Sequence, residues 1–135
     1  MRFVDTSFWV GLRFLRDSRH PDARAVWDSG AGALMTTDLV LGETWTFLRR
    51  KAGHREALEF QHATRELTSL TVRHVDEDLV SEAWRWLARH DERPYSFVDA
   101  TSFALMRRLR LREALAFDGD FAAAGFIEAR PKEKT

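Results

Sequence analysis

Phe3-Val4-Asp5, near the start of the sequence, is a short apolar stretch that ends in an aspartate. Leu115-Ala116-Phe117-Asp118 repeats this pattern near the other end of the chain. Both stretches have the length and composition of buried strands, and helical patterns separate them. Strands that alternate with helices favour a parallel sheet covered on both faces, so we predict a three-layer α/β/α domain with a short central parallel sheet.

The rest of the chain divides into the same two kinds of element. Phe8, Leu12 and Leu15 recur at helical spacing after the first strand. Further helices are predicted to start near Pro21, Thr37 or Asp38, Arg55, Asp76 and Ser96, and further strands to cover 33–35, 70–72 and 126–127. We expect one domain over residues 1–129, followed by a polar tail at 130–135.

Composition excludes several classes of function. The 135 residues carry 21 Lys and Arg against 21 Asp and Glu, so bulk positive charge does not attract nucleic acid. The absence of cysteine excludes disulfides, thiolate zinc sites and cysteine nucleophiles. No apolar run approaches the roughly 20 residues that span a bilayer, and the start is unlike a secretory signal, so we expect a cytoplasmic protein.

Asp5 and Asp118 are the first candidates for a functional site. In open parallel sheets, ligands bind beyond the carboxyl ends of the strands, where both of these acids are predicted to lie. Each also has a structural explanation. Asp5 can cap the helix that follows it, and Asp118 precedes Gly119 in a dipeptide typical of tight turns.

Two further acids stand in apolar helical stretches. Glu43 has apolar neighbours on nearly every side, and we expect its helix to be largely buried. The preceding Gly42 would let another backbone approach closely. Asp99 completes a capping box with Ser96 at the start of another apolar helix. Pairing with an arginine, or capping alone, would explain each acid taken singly.

Together the four acids favour a metal site. Two carboxylates about 4 Å apart repel each other by about 4 kcal/mol at an effective dielectric constant near 20, and a divalent cation between them removes that penalty. A site made only of oxygen ligands suits Mg²⁺ or Mn²⁺. These ions activate water and offset charge on phosphate oxygens, so the pattern points to metal-assisted phosphodiester hydrolysis.

Four ordered motifs resemble those of the PIN domain family, and more narrowly its VapC toxin branch. They follow the family's order and spacing over nearly the whole chain: Phe3-Val-Asp-Thr-Ser7, Thr37-Asp-Leu-Val-Leu-Gly-Glu43, Ser96-Phe-Val-Asp-Ala-Thr-Ser-Phe-Ala104 and Ala116-Phe-Asp-Gly-Asp-Phe121. The resemblance implies a Mg²⁺- or Mn²⁺-dependent endoribonuclease that leaves a 5′ phosphate and a 3′ hydroxyl. It also implies inhibition by a VapB-like antitoxin and homodimerisation.

The motifs also imply which residues form the site. By matching position, the acidic metal-site and catalytic residues would be Asp5, Glu43, Asp99 and Asp118. Thr6 or Ser7 would supply a hydroxyl beside the first aspartate. Asp120 is an alternative to Asp118 as the fourth acid.

Basic residues cluster where two predicted helices end. Cations at these positions favour the helix dipole, which is a sufficient structural reason for them. Arginine also binds phosphate in a bidentate manner, so the same residues could form an RNA-binding rim around the acids. The candidates for this rim are Arg49, Arg50, Arg107 and Arg108, with Arg13, Arg16 and Arg19 as additions.

Two other functions fit the same residues. A PIN nuclease could process RNA without any antitoxin, and the sequence does not separate this interpretation from the toxin. Alternatively, the acids only cap helices and pair with arginines in a non-catalytic binding module. This last hypothesis predicts no stabilisation by Mg²⁺ or Mn²⁺.

Overall fold

Five strands and seven helices alternate along the chain in the computed structural model, which describes residues 1–132. Residues 133–135 of the predicted polar tail lie outside the described residues. The strands are β1 (Arg2–Val4), β2 (Leu34–Thr37), β3 (Leu70–Arg73), β4 (Glu113–Leu115) and β5 (Ile127–Glu128). The helices are α1 (Thr6–Arg13), α2 (His20–Asp28), α3 (Asp38–Lys51), α4 (His54–Glu66), α5 (Glu77–Arg89), α6 (Phe97–Leu109) and α7 (Asp120–Ala123).

The strands form one parallel sheet in the order β3-β2-β1-β4-β5. The chain moves outward from β1 to β3 and then crosses back to β4 on the other side of β1. Because parallel crossovers are right-handed, this reversal places helices on opposite faces of the sheet. Helix α1 packs on both α2 and α3, α3 packs on α4, and α6 packs on both α5 and α7. The predicted three-layer α/β/α fold is confirmed.

Capping residues set where the helices begin, as the sequence predicted. The Thr37 hydroxyl accepts a hydrogen bond from the Val40 amide at 3.1 Å. The Asp76 carboxylate accepts one from Leu79 N at 2.9 Å, at the start of α5. Each cap satisfies an amide that has no partner within the helix, and so fixes the helix start.

Strand β4 is shorter than the sequence predicted. It ends at Leu115, whereas the apolar run suggested a strand that continues to Asp118. The reason lies in its neighbour, because Asp5 N donates to Leu115 O at 3.0 Å and β1 offers no backbone partner beyond that point. Residues 116 and 117 stay buried but leave the ladder.

The prediction that α3 is largely buried is wrong. Its fully buried residues are Val40, Thr44 and Leu48, which form a single stripe, and the apolar residues beside that stripe are only partly buried. Glu43 lies outside this stripe and is exposed. A Cβ placed on Gly42 would meet nothing within 4 Å, so this glycine does not serve a close backbone contact.

The first residue of the predicted tail is attached to the sheet. Arg130 Nη1 donates to the carbonyl oxygens of Ala116 and Ala129, each at 2.8 Å. Its guanidinium also lies 5.3 Å from the centre of the Phe117 ring. Within residues 1–132, no helix has both the length and the apolar character needed to cross a membrane.

Candidate active site

The predicted acids converge beside the point where the chain reverses across the sheet. Strands β1 and β4 are neighbours there, and their carboxyl ends open on one pocket of about 520 Å³. This is the position at which open α/β sheets bind ligands. We call it the acidic pocket; its lining includes Asp5, Glu43, Asp99, Asp118 and Asp120, together with Thr6 and Ser7.

Asp5 is the most buried of these acids, with 2% of its surface exposed. Its Oδ2 accepts hydrogen bonds from Ser7 N at 3.1 Å and from Ser7 Oγ at 2.7 Å. Burial raises the pKa of Asp5 to about 8, and the negative charges of Asp118 and Asp99 add to that effect against the Ser7 hydrogen bonds. A cation beside this carboxylate would relieve the cost of ionising it.

Ser7 joins the ends of the two central strands. Its hydroxyl donates to Asp5 after β1 and accepts from the amide of Phe117 after β4, at 3.0 Å. The second bond satisfies an amide that the shortened strand leaves without a ladder partner. Ser7 is therefore the hydroxyl that the sequence predicted beside the first aspartate, and it fixes the position of that carboxylate.

Replacing Ser7 with alanine is expected to lower the melting temperature by several degrees. The change leaves a buried amide at Phe117 without a partner, which costs about 1–3 kcal/mol. Thermal unfolding followed by circular dichroism measures the shift. Ser81→Ala, at an exposed position on α5, is the control and should leave the melting temperature unchanged. An equal melting temperature for the two variants would contradict this role of Ser7.

Asp99 both caps α6 and lines the acidic pocket, so it has the two roles between which the sequence did not decide. It forms a capping box with Ser96, whose amide donates to Asp99 Oδ2 at 3.0 Å. It also lines the acidic pocket, with 8% of its surface exposed. Burial raises the pKa of Asp99 to about 6 against the hydrogen bonds from Ser96, and the charges of Asp118 and Asp120 raise it further.

Asp118 and Asp120 both belong to the cluster, so the structure does not choose between them. One carboxylate oxygen each from Asp99, Asp118 and Asp120 lies within 4.8 Å of the other two. Partial burial raises the pKa of Asp118, and the charges of Asp120 and Glu128 act in the same direction. Asp120 differs in having a cation partner, since Arg93 Nε donates to its Oδ1 at 2.9 Å.

Glu43 and Asp5 line the same pocket but are less tightly grouped. Within residues 1–132, no set of three acids that includes either residue meets the 4.8 Å distance. Glu43 reaches the pocket from α3, across from the strand ends. The expectation that Glu43 lies in a largely buried helix is wrong, because its side of α3 is open to solvent.

The donor set of the acidic pocket fits a hard divalent cation. It offers only carboxylate and hydroxyl oxygens, without histidine or sulfur. Oxygen ligands of this kind are the ones that Mg²⁺ and Mn²⁺ prefer. The pKa values of Asp5 and Asp99 are raised first by burial and then by neighbouring carboxylates, so ionising these acids costs free energy that a bound cation would offset.

Comparison with known proteins gives the family of this chain. Residues 2–127 match the PIN domain. The chain belongs to the PIN domain family. The prediction made from the four motifs is therefore confirmed.

A curated relative places this PIN domain within the VapC branch. The chain is 55% identical over 132 residues to the "23S rRNA-specific endonuclease VapC20" of Mycobacterium tuberculosis, covering 98% of this chain and all of the relative. The crystal structure of Mycobacterium tuberculosis VapC20, described as a sarcin-ricin loop cleaving toxin, superposes with a TM-score of 0.92 at 54% identity, over 97% of this chain and 100% of that one.

A more distant structure shares only the fold. A toxin-antitoxin complex from Klebsiella pneumoniae has a chain that superposes on this PIN domain with a TM-score of 0.68. The two sequences are 14% identical over 99% of this chain and 100% of the other. The α/β/α arrangement is thus retained at low sequence identity.

The predicted basic rim is only partly present around the PIN domain's acidic pocket. Arg107 and Arg108 lie in the last turn of α6, two turns from Asp99 and about 12 Å along the helix axis. Arg107 lies over the ring of Trp86 at 5.8 Å, and Arg108 lies 3.6 Å from Asp76. These two arginines therefore do not border the pocket, and local packing accounts for them.

Two other arginines lie at the pocket or contact its acids. Arg19, an additional candidate from the sequence, lines it and lies 5.6 Å from the centre of the Phe117 ring. Arg93 was missed; besides its bond to Asp120, its Nη2 donates to Asp118 O at 3.3 Å. Its place just before the Ser96 cap was the available signal, since residues before that cap lie at the same edge of the sheet.

Thr6 contributes a second hydroxyl to the PIN domain's pocket. Its Oγ1 is buried, and it has no hydrogen-bond partner among residues 1–132. Ser7 makes both hydrogen bonds to Asp5, so the two predicted hydroxyls are not equivalent. Thr6 lines the acidic pocket, but its Oγ1 is itself buried, so the donor and acceptor of this hydroxyl are unused.

Proposed function

We propose that this PIN domain is a divalent-metal-dependent endoribonuclease that acts as the toxin of a toxin–antitoxin pair. The observation that carries the proposal is the group of Asp99, Asp118 and Asp120, whose oxygens approach within 4.8 Å beside the buried Asp5. The 55% identity to a protein named as a VapC endonuclease supports the same activity.

The residues of the pocket have separable roles in this proposal. Asp5, Asp99 and Asp118 would hold Mg²⁺ or Mn²⁺, with Asp120 as a further oxygen donor and Glu43 on the facing wall. When bound, the ion supplies Lewis-acid stabilisation and an activated water for attack on phosphorus. Ser7 keeps the Asp5 carboxylate oriented, and the capping box does the same for Asp99.

RNA is the proposed substrate, and 23S rRNA is the first one to test, because the VapC20 relative is named for it. Arg19 at the pocket and Arg49 and Arg50 at the end of α3 are proposed to bind its phosphates. The expected products carry a 5′ phosphate and a 3′ hydroxyl, which end-specific ligation of the fragments would detect.

The partners proposed for this chain are those typical of the VapC branch. We propose inhibition by a small VapB-like antitoxin and assembly into a homodimer in the cytoplasm, where the RNA substrate and the antitoxin are present together. Co-expression with a cognate VapB-like antitoxin should relieve growth arrest, and light scattering on the purified protein should give twice the chain mass. A PIN nuclease that processes RNA without an antitoxin would cause no arrest.

Titration with Mn²⁺ is expected to raise the melting temperature of the metal-free protein. An ion that binds only the folded state adds about 2.7 kcal/mol of stability when present at 100 times its dissociation constant. Differential scanning fluorimetry follows the rise, and a chelator should reverse it and stop RNA cleavage. A flat melting temperature up to millimolar Mn²⁺ would instead favour the non-catalytic binding module.

A further inference from the structure

A second groove runs along α3 and joins the acidic pocket. Its volume is about 730 Å³, within the range of ligand sites. Glu43 and Phe47 line both cavities, so the groove opens directly beside the acids. We call it the α3 groove; the residues that define it here are Gly42, Phe47, Arg50, Lys51 and Phe97.

One face of α3 forms a wall of this groove. Residues at helical spacing along that face line it, from Leu39 through Gly42 and Thr46 to Arg50. Gly42 lies in the middle and has open space where a side chain would project. It costs about 1 kcal/mol of helix stability relative to alanine, and the fold does not use its smallness for packing. Its effect is to keep the groove open.

Aromatic rings line the groove from two helices. Phe47 of α3 is backed by Phe14, with ring centres 5.9 Å apart in an edge-to-face arrangement. Phe97, the first residue of α6, is backed by Trp84, with ring centres 4.5 Å apart. A second ring behind each wall restricts its movement, so the apolar surfaces are formed before any ligand arrives. Trp84 itself remains 57% exposed.

The charges of the groove favour an anionic occupant away from the acids. Arg50 and Lys51 lie at its outer end, and neither makes an ion pair with any residue in 1–132. The groove also contains Asp38, but its carboxylate is engaged by His74 at 2.7 Å and by the amide of Val75 at 3.0 Å. Glu43 lies at the junction with the acidic pocket.

We propose that the α3 groove seats one unstacked base of a single-stranded RNA segment, next to the phosphodiester held over the acidic pocket. Phe47 and Phe97 offer apolar ring surfaces to the base, and Arg50 and Lys51 bind the phosphates that follow it. Unpaired bases of RNA loops are typically bound on aromatic side chains in this way, whereas paired bases stay within the helical stack. The inference rests on the proposed nuclease function and adds the form of RNA that is bound.

Filling the groove at Gly42 tests the proposal without touching the acids. Gly42→Leu places a side chain in the open space, and Gly42→Ala is the matched control; both favour the helix, so both variants should fold. Each is combined with Asp99→Asn to prevent cleavage. Fluorescence anisotropy with a labelled single-stranded RNA, without divalent ions, should give about tenfold weaker binding for the leucine variant than for the alanine variant. The same RNA as a duplex should not distinguish them.

Separate variants test the aromatic ring of Phe97 and the cations Arg50 and Lys51. Phe97→Ala should weaken binding of the single strand about tenfold. The double variant Arg50→Ala, Lys51→Ala should weaken binding and reduce its dependence on salt. Arg65→Ala, at an exposed position on α4 outside both cavities, is the control for charge and should leave binding and salt dependence unchanged.

Equal affinity of the Gly42→Leu and Gly42→Ala proteins for single-stranded RNA would overturn the proposal, whether or not the wild type cleaves RNA. If the Gly42→Leu protein with Asp99 intact cleaves normally but escapes neutralisation by its co-expressed antitoxin, the groove holds a protein segment and the proposal is also overturned. A difference in binding without any cleavage by wild type would support the groove and contradict the nuclease function.

Discussion

Asparagine at position 99 is expected to lower the rate of RNA cleavage by about a thousandfold, because the electrostatic stabilisation lost with a metal ligand amounts to several kcal/mol. The fold should survive, since the asparagine oxygen can still accept the hydrogen bond that Ser96 N gives to Asp99. A single-turnover assay on a fluorescent RNA in Mn²⁺ measures the loss. Stabilisation by Mn²⁺ should fall in parallel.

Asp76→Asn is the matched control for this experiment. Asp76 also caps a helix with its carboxylate, at the start of α5, but it lies outside the acidic pocket. Its replacement removes the same charge from the same kind of position and should leave cleavage unchanged. If the Asp99 and Asp76 variants cleave RNA equally well, Asp99 has no role beyond capping.

Asparagine at position 5 is expected to stabilise the metal-free protein at pH 8 while removing its activity. Asp5 has a folded-state pKa of about 8 against a reference value of 3.8, so folding takes up a proton between these values. Its contribution to stability is therefore greatest below pH 4 and is lost as the pH rises to 8. The Asp5→Asn side chain has no charge to bury, and we expect a melting temperature about 10 °C above wild type at pH 8.

The dependence on pH identifies the cause of this stabilisation. At pH 4 the two proteins should melt at nearly the same temperature, and the gap should widen up to pH 8. Added Mn²⁺ should reduce or reverse the difference in melting temperature, because only the wild type offers the Asp5 carboxylate to the ion. A constant difference at every pH would mean that packing, and not the charge of Asp5, separates the two proteins.

Much of the fold was predictable because the local signals are strong. Thr37, Asp76 and Ser96 are side-chain caps that mark helix starts, and the structure uses each of them. The strand Phe3-Val4 is followed by Asp5, and this pattern predicted both the edge of the sheet and a candidate metal-binding residue. These features depend on a few neighbouring residues, so the sequence alone can identify them.

Errors arose where a distant element decides the outcome. The stripe that α3 buries includes Thr44, a polar residue whose hydroxyl donates to Val40 O at 2.8 Å, whereas several apolar residues of the helix are only partly buried. Leu15 continues the helical spacing of α1, yet the helix ends at Arg13 and Leu15 is 77% exposed. Hydrophobicity alone did not indicate which surfaces would find a partner.

The candidate site was predictable as a set of residues and not as a geometry. The order of the motifs brought Asp5, Asp99 and Asp118 to one edge, and the structure places them in one pocket. Arg93 was missed because its place just before the Ser96 cap is a weak signal, and the ion pair with Asp120 at 2.9 Å is visible only in the structure. The α3 groove depends on the side chain that Gly42 lacks, which a sequence pattern does not indicate.

The hydroxyl bridge from Ser7 to Phe117 joins positions 110 residues apart. A ribosome must therefore release nearly the whole polypeptide before the two central strands can meet and close this bridge. Until then Asp5 has its local partner Ser7 but lacks the neighbouring carboxylates of Asp99 and Asp118. The acidic pocket is therefore completed only when the last third of the chain is available, so an amino-terminal fragment lacks half of its acids.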